Sequence, residues 1–206
     1  MRAVIISGGR IANYIFIKSQ IRENDVIICA DSGYSHAIQM ELLVSAIVGD
    51  FDSIGNVNIP ENILTIRVPA KKDLTDTELA LHYARKKGVK DFLFIAAIGT
   101  RMDHSLANIL LLKSCVENGE NAVIVDEHNK IMMTDSVIAL CEPLGSTVSL
   151  IPLENCFGVS TQGLEYQLQG ATLTVGRGLG ISNVMVSKSA TISIEKGLLL
   201  IVVAKD

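Results

Sequence analysis

Residues 26–53 of this chain read VIICADSGYSHAIQMELLVSAIVGDFDS, and this stretch decides the fold. The apolar run Val26–Ala30 predicts a buried strand, Tyr34–Leu43 predicts a helix, and Ala46–Val48 predicts the start of the next strand. One acidic residue directly follows the first strand, and a pair of acidic residues follows the second. A strand, a helix and a strand in this order favour two parallel strands joined by a helical crossover.

The same alternation continues on both sides of this stretch as far as about residue 127. Further strands are predicted at Ala3–Ser7, Leu64–Val68, Asp91–Ala97 and Ala122–Val125. Further helices are predicted at Tyr14–Arg22, Asp76–Lys87 and Ser105–Val116. Continuous apolar strands that alternate with helices indicate a mostly parallel sheet covered by helices. We therefore expect an α/β N-terminal domain over residues 1–127.

After residue 127 the pattern changes to short alternating runs punctuated by glycines, and no convincing long helix follows. Strands are predicted at Lys130–Thr134, Val137–Leu140, Thr147–Pro152, Ala171–Val175, Asn183–Ser187, Ala190–Glu195 and Leu198–Ala204. Many short strands with regular turns are typical of a β-sandwich. We therefore expect an all-β, sandwich-like C-terminal domain over residues 128–206.

The composition excludes several classes of protein. The chain has 206 residues, of which 49% are hydrophobic and 19% charged, so it is expected to fold around a core. Its net charge of −4 and the absence of a basic helix face argue against a nucleic-acid partner. No apolar run is long enough to predict a membrane span or a signal peptide. The four cysteines form no CxxC pair, which fits a reducing cytoplasm.

Acidic residues recur in the loops that leave the C-terminal ends of the predicted strands. They are Asp31, Asp50, Asp52, Asp73, Asp76 and Asp103. In a parallel sheet these strand ends share one edge, and ligands bind in the crevice there. Clustered carboxylates repel one another unless a cation lies among them, and oxygen ligands suit Mg²⁺. The interleaved cations Lys71, Lys72 and Arg101 suit a polyphosphate, so the pattern predicts metal-assisted phosphoryl-type transfer.

Several of these residues also have a purely structural interpretation. Thr75 and Glu78 form a Thr-x-x-Glu capping box, which accounts for part of that segment. Asp31 fits a turn or an N-cap, and Asp103 fits an N-cap of the helix that follows it. The two acids that flank Phe51 are harder to explain in this way, because loop formation needs only one of them.

Other segments carry weaker signals. Ser7–Arg10 reads SGGR and offers backbone N–H groups to a phosphate, although it is not a Walker A loop. Gly176–Gly180 is glycine-rich, but no helix follows it, so we interpret it as a flexible turn. The histidines His36, His82 and His128 are isolated in sequence, and no role is predicted for them.

Taken together and in order, the acidic elements resemble those of the thiamine pyrophosphokinase family. Ala30–Gly33 is similar to the first acidic loop of that family, and Gly49–Ser53 is similar to its most characteristic motif. Lys72–Asp76 resembles its Asp-x-Thr-Asp element, and Gly99–His104 resembles its Gly-x-Arg-x-Asp-His element. In the C-terminal half, Gly180–Asn183 resembles the Ser-Asn segment that contacts thiamine.

The resemblance implies transfer of a diphosphate group from ATP to thiamine with Mg²⁺, giving thiamine diphosphate and AMP. It also implies a homodimer in which the acidic loops of one subunit and the β domain of the other share one active site. Its implied metal ligands are Asp50, Asp52 and Asp73. Its implied catalytic residues are Asp52, Asp73 and Asp76, with the general base left open between the last two.

The resemblance further assigns residues to the two substrates. The implied ATP contacts are Asp31, Lys72, Thr75, Arg101 and Asp103. The implied thiamine contacts are Ser182 and Asn183. The segment continues with Val184 and Met185, where many relatives have an acidic residue and an aromatic one, and the chain has no tryptophan to stack on thiamine.

Three alternative functions remain open at this stage. A diphosphotransferase with another acceptor, such as a hydroxymethyl-pterin, would keep the acidic loops and change the acceptor pocket. A non-catalytic nucleotide or thiamine sensor would bind ligands without forming AMP. An interaction protein whose acidic residues are only solvated caps would show no Mg²⁺-dependent binding of ATP.

Overall fold

The computed structural model of the chain describes residues 1–52, 58–69 and 73–205. Two compact units make up the chain, Met1–Glu127 and His128–Asp206. In the described part of the first unit the strands are β1 (Ala3–Ile6), β2 (Val26–Ala30), β3 (Val44–Gly49), β4 (Leu64–Arg67), β5 (Asp91–Ile95) and β6 (Asn121–Val125). The helices there are α1 (Tyr14–Ser19), α2 (Gly33–Gln39), α3 (Asp76–Lys86) and α4 (Met102–Glu117).

The strands of the first unit form a parallel sheet in the order β6-β5-β1-β2-β3-β4. The chain runs from β1 through β2 and β3 to β4, and then returns to the other side of β1 with β5. The strand order therefore reverses between β1 and β5. In sheets of this kind a crevice opens beyond the carboxyl ends of the strands at such a reversal, and ligands bind there.

The central strands are buried on both faces. All four residues of β1 are fully buried, and Phe92, Phe94, Ile28 and Ile47 on the neighbouring strands are 1% exposed or less. Burying each large apolar side chain contributes about 1.5–3 kcal/mol. The helices that cover the sheet explain why these strands read as continuous apolar runs rather than as alternating ones.

The helix boundaries differ from the predicted ones at several ends. The helix α4 begins at Met102 rather than Ser105, with Arg101 as its N-cap residue and Asp103 inside its first turn. The prediction that Asp103 is an N-cap is therefore wrong. A carboxylate in the first turn is still favourable, because it faces the positive end of the helix dipole. The predicted cap of α3 is confirmed, since Thr75 Oγ1 accepts a hydrogen bond of 3.2 Å from the N–H of Glu78.

The second unit is built of antiparallel strands. They are β7 (Asn129–Thr134), β8 (Val137–Leu140), β9 (Thr147–Pro152), β10 (Cys156–Gln162), β11 (Ala171–Leu173), β12 (Asn183–Val184), β13 (Ala190–Ser193) and β14 (Leu199–Ala204). One sheet has the order β12-β9-β14-β7, and the other has the order β11-β10-β13-β8. Every pairing within them is antiparallel.

The buried faces of these two sheets meet around Gly180. A β-carbon at Gly180 would lie 3.2 Å from Cβ of Leu150 in β9 and 3.7 Å from Cδ1 of Leu173 in β11. Alternate residues of β9 are buried, as a half-covered strand requires. The predicted α/β region followed by a sandwich-like all-β region is confirmed. Strand β10 was not predicted, because its apolar pattern is interrupted by Gly158, which has a φ of 65°, and ends in the polar residues Ser160, Thr161 and Gln162.

Among the described residues, none of the helices has the length and apolar character needed to cross a membrane.

Candidate active site

A cleft of about 660 Å³ opens in the first unit where the strand order reverses. Its walls come from four parts of the chain that follow strands of the sheet. They are Ser7–Arg10 after β1, Ala30–Ser32 after β2, Thr75–Thr77 at the start of α3, and the residues between β5 and α4 with Ser105 and Asn108. This volume is typical of pockets that bind small molecules.

Three carboxylates converge beside the ends of β2 and β3. Carboxylate oxygens of Asp31, Asp50 and Asp52 all lie within 4.8 Å of one another. Asp31 is 6% exposed, whereas Asp50 is half-buried and Asp52 is exposed. Three negative charges at this spacing repel one another unless a cation or a proton lies among them. The donor set consists of hard oxygens, and it therefore fits Mg²⁺.

The two acidic loops are held to each other. The N–H of Phe51 donates a hydrogen bond of 3.2 Å to Oδ1 of Asp31, and the N–H of Asp52 donates one of 3.1 Å to Oδ1 of Asp50. Asp31 has a φ of 45° and Phe51 a φ of 69°, a region that costs non-glycine residues about 1–3 kcal/mol. The guanidinium of Arg67 lies 4.6 Å from the centre of the Phe51 ring. These contacts fix the strained loops and so the positions of the carboxylates.

The N-terminal turn of α3 lies against the cleft. Thr75, Asp76 and Thr77 all line the cleft, and the hydroxyls of Thr77 and Ser7 lie 2.8 Å apart. That hydrogen bond joins the start of α3 to the end of β1. The positive end of a helix dipole and the N–H groups of a helix N-terminus are suited to phosphate oxygens.

The segment between β5 and α4 is held by side chains of α4 itself. The hydroxyl of Ser105 accepts a hydrogen bond of 3.0 Å from the N–H of Gly99. The amide of Asn108 donates one of 2.7 Å to the carbonyl of Ala97. Ala96, at the end of β5, has a φ of 52°. Neither Ser105 nor Asn108 was predicted, because a serine and an asparagine inside a helix carry no distinctive sequence signal.

Arg101 brings a cation to the rim of the cleft. Its guanidinium forms an ion pair of 2.6 Å with Asp103, and the two side chains are 70% and 65% exposed. The hydrogen bond from Arg101 lowers the pKa of the Asp103 carboxyl. Asp103 itself does not line the cleft.

The glycines after β1 allow a very close approach of backbone segments. A β-carbon at Gly9 would lie 2.4 Å from the carbonyl oxygen of Ala96, and one at Gly8 would lie 2.2 Å from Oγ of Ser32. No other residue fits either position without a shift of the surroundings. The N–H of Gly9 donates a hydrogen bond of 2.7 Å to Ala96. The backbone of this segment is thus brought to the wall of the cleft.

His36 also lines the cleft, although its isolation in sequence predicted no role for it. Its Nε2 lies 2.7 Å from the carbonyl oxygen of Gly9, and its Nδ1 lies 2.7 Å from the hydroxyl of Tyr14. His36 is therefore isolated in sequence but not in the folded chain. No spacing rule connects these three residues, since they meet only when α1 and α2 pack beside the end of β1.

The sequence-predicted residues of the first unit divide into four groups. Asp31, Thr75, Asp76 and Arg101 line the cleft, and Asp50 and Asp52 join Asp31 in the carboxylate cluster. Asp73 and Asp103 are exposed, and they belong neither to this cluster nor to the walls of the cleft. Lys72 lies outside the described residues. The structure therefore groups Asp31, rather than Asp73, with the two acids after β3.

In the second unit, the predicted Ser-Asn segment is tied to an exposed aromatic residue. Asn183 is 3% exposed, and its amide accepts a hydrogen bond of 3.0 Å from the N–H of Tyr166 and donates one of 2.7 Å to the carbonyl of Tyr166. Tyr166 itself is 66% exposed. Ser182 is exposed, and its φ is 55°. The Asn183 amide thus fixes the backbone of Tyr166, a residue that was not predicted.

Comparison with protein families gives two matches along the chain. Residues 17–124 match the family described as "Thiamin pyrophosphokinase, catalytic domain". Residues 135–199 match the family described as "Thiamin pyrophosphokinase, vitamin B1 binding domain". The first match contains all three clustered carboxylates, and the second contains Tyr166, Ser182 and Asn183.

Individual relatives agree with these matches. The chain is 29% identical to the thiamine pyrophosphokinase of Bacillus subtilis (strain 168) over 191 residues, and this match covers 89% of each protein. The fold is similar to a crystal structure of thiamine pyrophosphokinase from Bacillus subtilis, with a TM-score of 0.88, 25% identity and full coverage of both chains. It is also similar to thiamin pyrophosphokinase from Candida albicans, with a TM-score of 0.77, 16% identity and coverage of 99% and 89% of the two chains.

Proposed function

We propose that this chain, which belongs to the thiamin pyrophosphokinase family, transfers a diphosphate group from ATP to thiamine. The hydroxyl oxygen of thiamine bonds to the β-phosphorus, and the bond from that phosphorus to the oxygen bridging it to the α-phosphorus breaks. The products are thiamine diphosphate, AMP and the proton of the hydroxyl. The observation that carries this proposal is the carboxylate cluster of Asp31, Asp50 and Asp52 next to a cleft lined by a helix N-terminus and by Arg101.

The carboxylate cluster is proposed to hold Mg²⁺ through Asp31, Asp50 and Asp52. When bound there, the ion supplies positive charge that neutralises phosphate oxygens. The role of Asp52 in the reaction is then to hold this ion. Asp73 stays a prediction as a further ligand, and it rests on the family resemblance alone.

The cations and the N–H groups of the cleft are proposed to hold the triphosphate of ATP. Arg101 lies at the rim, where it forms an ion pair with Asp103. The first turn of α3, from Thr75 to Thr77, presents the positive end of its dipole to the same space. Holding the reacting groups in line contributes much of the rate in phosphoryl transfer. Lys72 remains a predicted contact from the sequence.

A carboxylate is proposed to accept the proton of the thiamine hydroxyl. Of the two candidate bases, Asp76 lines the cleft, and it lies on the N-terminal turn of α3 beside the proposed phosphate contacts. Asp73 lies outside the cleft lining and is the second candidate, from the sequence pattern. A general base must come within hydrogen-bond reach of the proton, which favours Asp76.

Thiamine is proposed to contact the second unit around Ser182, Asn183 and Tyr166. Because the Asn183 amide is occupied by the backbone of Tyr166, its contribution is to fix that residue rather than to contact thiamine by itself. The exposed ring of Tyr166 offers an aromatic face to the positively charged thiazolium ring. In a chain without tryptophan, this ring supplies the stacking surface.

A homodimer with a shared active site is also part of the proposal. Support comes from apolar side chains of the second unit that are about half exposed or more, among them Leu144, Val175, Leu179 and Val186. Light scattering on the purified protein measures its molar mass, which should be twice that of one chain.

A cytoplasmic location is proposed as well, supported by the four free cysteines, Cys29, Cys115, Cys141 and Cys156.

The release of AMP from ATP by the purified protein with Mg²⁺ tests the proposed function, with and without thiamine. We expect AMP only when thiamine and Mg²⁺ are both present. AMP formed only with another acceptor, such as a hydroxymethyl-pterin, would keep the phosphate site and overturn the choice of thiamine. Binding of Mg²⁺·ATP and thiamine without AMP would make the protein a non-catalytic binder.

A further inference from the structure

A chain of hydrogen bonds connects α1, α2 and the segment after β1. The hydroxyl of Tyr14 lies 2.7 Å from Nδ1 of His36, and Nε2 of His36 lies 2.7 Å from the carbonyl oxygen of Gly9. A carbonyl oxygen only accepts, so Nε2 carries the hydrogen in this bond. In a neutral imidazole Nδ1 is then the acceptor, and Tyr14 donates to it. Burial, together with the charge of Glu127, raises the pKa of Tyr14, so its hydroxyl keeps the proton that it donates.

Gly9 is held from both sides by this arrangement. Its N–H donates to the carbonyl of Ala96 at 2.7 Å, and its carbonyl accepts from His36. The carboxylate of Glu127 accepts hydrogen bonds of 2.6 Å and 2.7 Å from the N–H groups of Ala12 and Asn13, at the far end of the same segment. The peptide between Gly9 and Arg10 therefore has one orientation.

The residue that follows this fixed peptide is Arg10, a cation for which the described residues supply no partner. Arg10 lines the cleft and is exposed. Within the described ranges, neither its guanidinium nor its N–H has a hydrogen-bond or ion-pair partner, whereas Arg101 is paired with Asp103. A guanidinium at the mouth of a cleft is suited to bidentate contacts with phosphate oxygens.

We propose that His36 is a positioning residue, which fixes the carbonyl of Gly9 and thereby directs Arg10 to the phosphate groups of the nucleotide. The inference rests on the proposed function, because it takes the cleft to be the nucleotide site. Arg10 contacts the nucleotide, and His36 acts only through the segment that carries it. Tyr14 contributes by keeping the hydrogen of His36 on Nε2.

Steady-state kinetics of variants test this assignment. We expect His36→Leu and Arg10→Met each to raise the KM for ATP about tenfold, the size of one lost charge-assisted hydrogen bond. The kcat and the KM for thiamine are expected to change little. His36→Gln keeps an N–H donor for Gly9, so it should restore most of the affinity for ATP. Tyr14→Phe should give an intermediate KM.

The double variant separates positioning from general stability. If His36 acts through Arg10, His36→Leu with Arg10→Met should be no worse for ATP than Arg10→Met alone, since coupled effects are not additive. The inference would be overturned by any of three results for the KM for ATP. These are additive effects in the double variant, an unchanged KM in His36→Leu, or equal effects of His36→Leu and His36→Gln. A melting temperature for every variant identifies a loss of folding, in which case Tyr14→Phe and Arg10→Met decide the matter.

Equilibrium binding separates this inference from the proposed reaction. The dissociation constant of Mg²⁺·ATP is measured by calorimetry for the same variants. If the wild type binds Mg²⁺·ATP but forms no AMP with thiamine, the proposed function fails, and the tenfold pattern in the dissociation constants still decides the role of His36. If the wild type does not bind Mg²⁺·ATP, both proposals are overturned.

Discussion

The carboxylate of Asp31 accepts a hydrogen bond from the backbone N–H of Phe51, with 3.2 Å between Oδ1 and N. This bond joins the loop after β2 to the loop after β3. It therefore places a buried carboxylate beside Asp50 and Asp52, the two acids that flank Phe51. Asparagine keeps the accepting oxygen at this position but removes the charge, which separates the structural role of Asp31 from its proposed role as a ligand.

The first prediction concerns Asp31→Asn. Without Mg²⁺ its melting temperature should equal or exceed that of the wild type, because the variant relieves repulsion among three close carboxylates. The rise in melting temperature on adding Mg²⁺·ATP should be much smaller than in the wild type, since a ligand that binds only the folded state stabilises it. Asp135→Asn, at an exposed position outside the cluster, is the matched control. If Mg²⁺·ATP raised the melting temperature of Asp31→Asn as much as that of the wild type, Asp31 would be excluded as a ligand.

The second prediction concerns the membership of the metal site. Asp52→Asn should fold normally and lose transfer activity by about a hundredfold or more, because a metal clamp contributes several kcal/mol to such reactions. Asp73→Asn is the comparison, since Asp73 lies outside the described cluster. An equal loss in Asp73→Asn would support the ligand set Asp50, Asp52 and Asp73 that the family resemblance implies. Full activity in Asp52→Asn would contradict the acidic-site account altogether.

The third prediction concerns Tyr166. Replacing it by alanine should raise the KM for thiamine about five- to thirtyfold, which corresponds to about 1–2 kcal/mol of cation–π contact. The KM for ATP should stay unchanged, and Tyr166→Phe should remain close to the wild type because it keeps the ring. Phe157→Ala removes another exposed aromatic residue of the second unit and serves as the control. An unchanged KM for thiamine in Tyr166→Ala would show that the ring does not contact the substrate.

The architecture of the sheet could be predicted from the sequence because parallel strands between helices are continuous apolar runs. Val26–Ala30 is one such run, and its strand has the predicted bounds. Strand β10 escaped prediction because Gly158 and several polar residues interrupt its apolar pattern. A half-covered strand is marked by alternation of apolar and polar residues, and β10 lacks that alternation because its buried position at Thr161 is polar.

The candidate site could be predicted only in part, for a physical reason. A sequence shows that acids follow strands, and the parallel sheet then brings those strand ends to one edge. It does not show which loops meet. The family resemblance implied Asp73 as a ligand with Asp50 and Asp52, whereas the described cluster contains Asp31 with these two acids. Contacts such as that of His36 with Gly9 arise from packing between elements and have no signature in spacing.

The fourth prediction concerns stability and its dependence on pH. Arg2 donates hydrogen bonds of 3.0 Å and 2.6 Å to Asp25, and the two side chains are 11% and 3% exposed. Arg2→Met would leave a buried carboxylate without its cation, so it should destabilise the fold by about 3–5 kcal/mol at neutral pH. Denaturant unfolding measures this loss. A change below about 1 kcal/mol, the usual size for an exposed pair, would contradict the buried-pair account.

The effect of Arg2→Met should shrink in acid. Burial raises the pKa of Asp25, but the hydrogen bonds from Arg2 and from the N–H of Arg22 outweigh it, so the pKa lies below its ordinary value of 3.8. Stability from a depressed carboxyl pKa is present above the unfolded pKa and is lost as the pH falls through the folded pKa. The difference between wild type and variant should therefore narrow below about pH 4.

The destination of the phosphate groups of ATP tests the central claim most directly. The protein is incubated with Mg²⁺, thiamine and ATP labelled at both the β- and γ-phosphates, and the products are separated and identified. Attack at the β-phosphorus predicts that both labels appear together in thiamine diphosphate and that AMP carries none. Label in thiamine monophosphate with ADP as the second product, or label that stays in ATP, would contradict the assignment of this cleft as a diphosphate-transfer site.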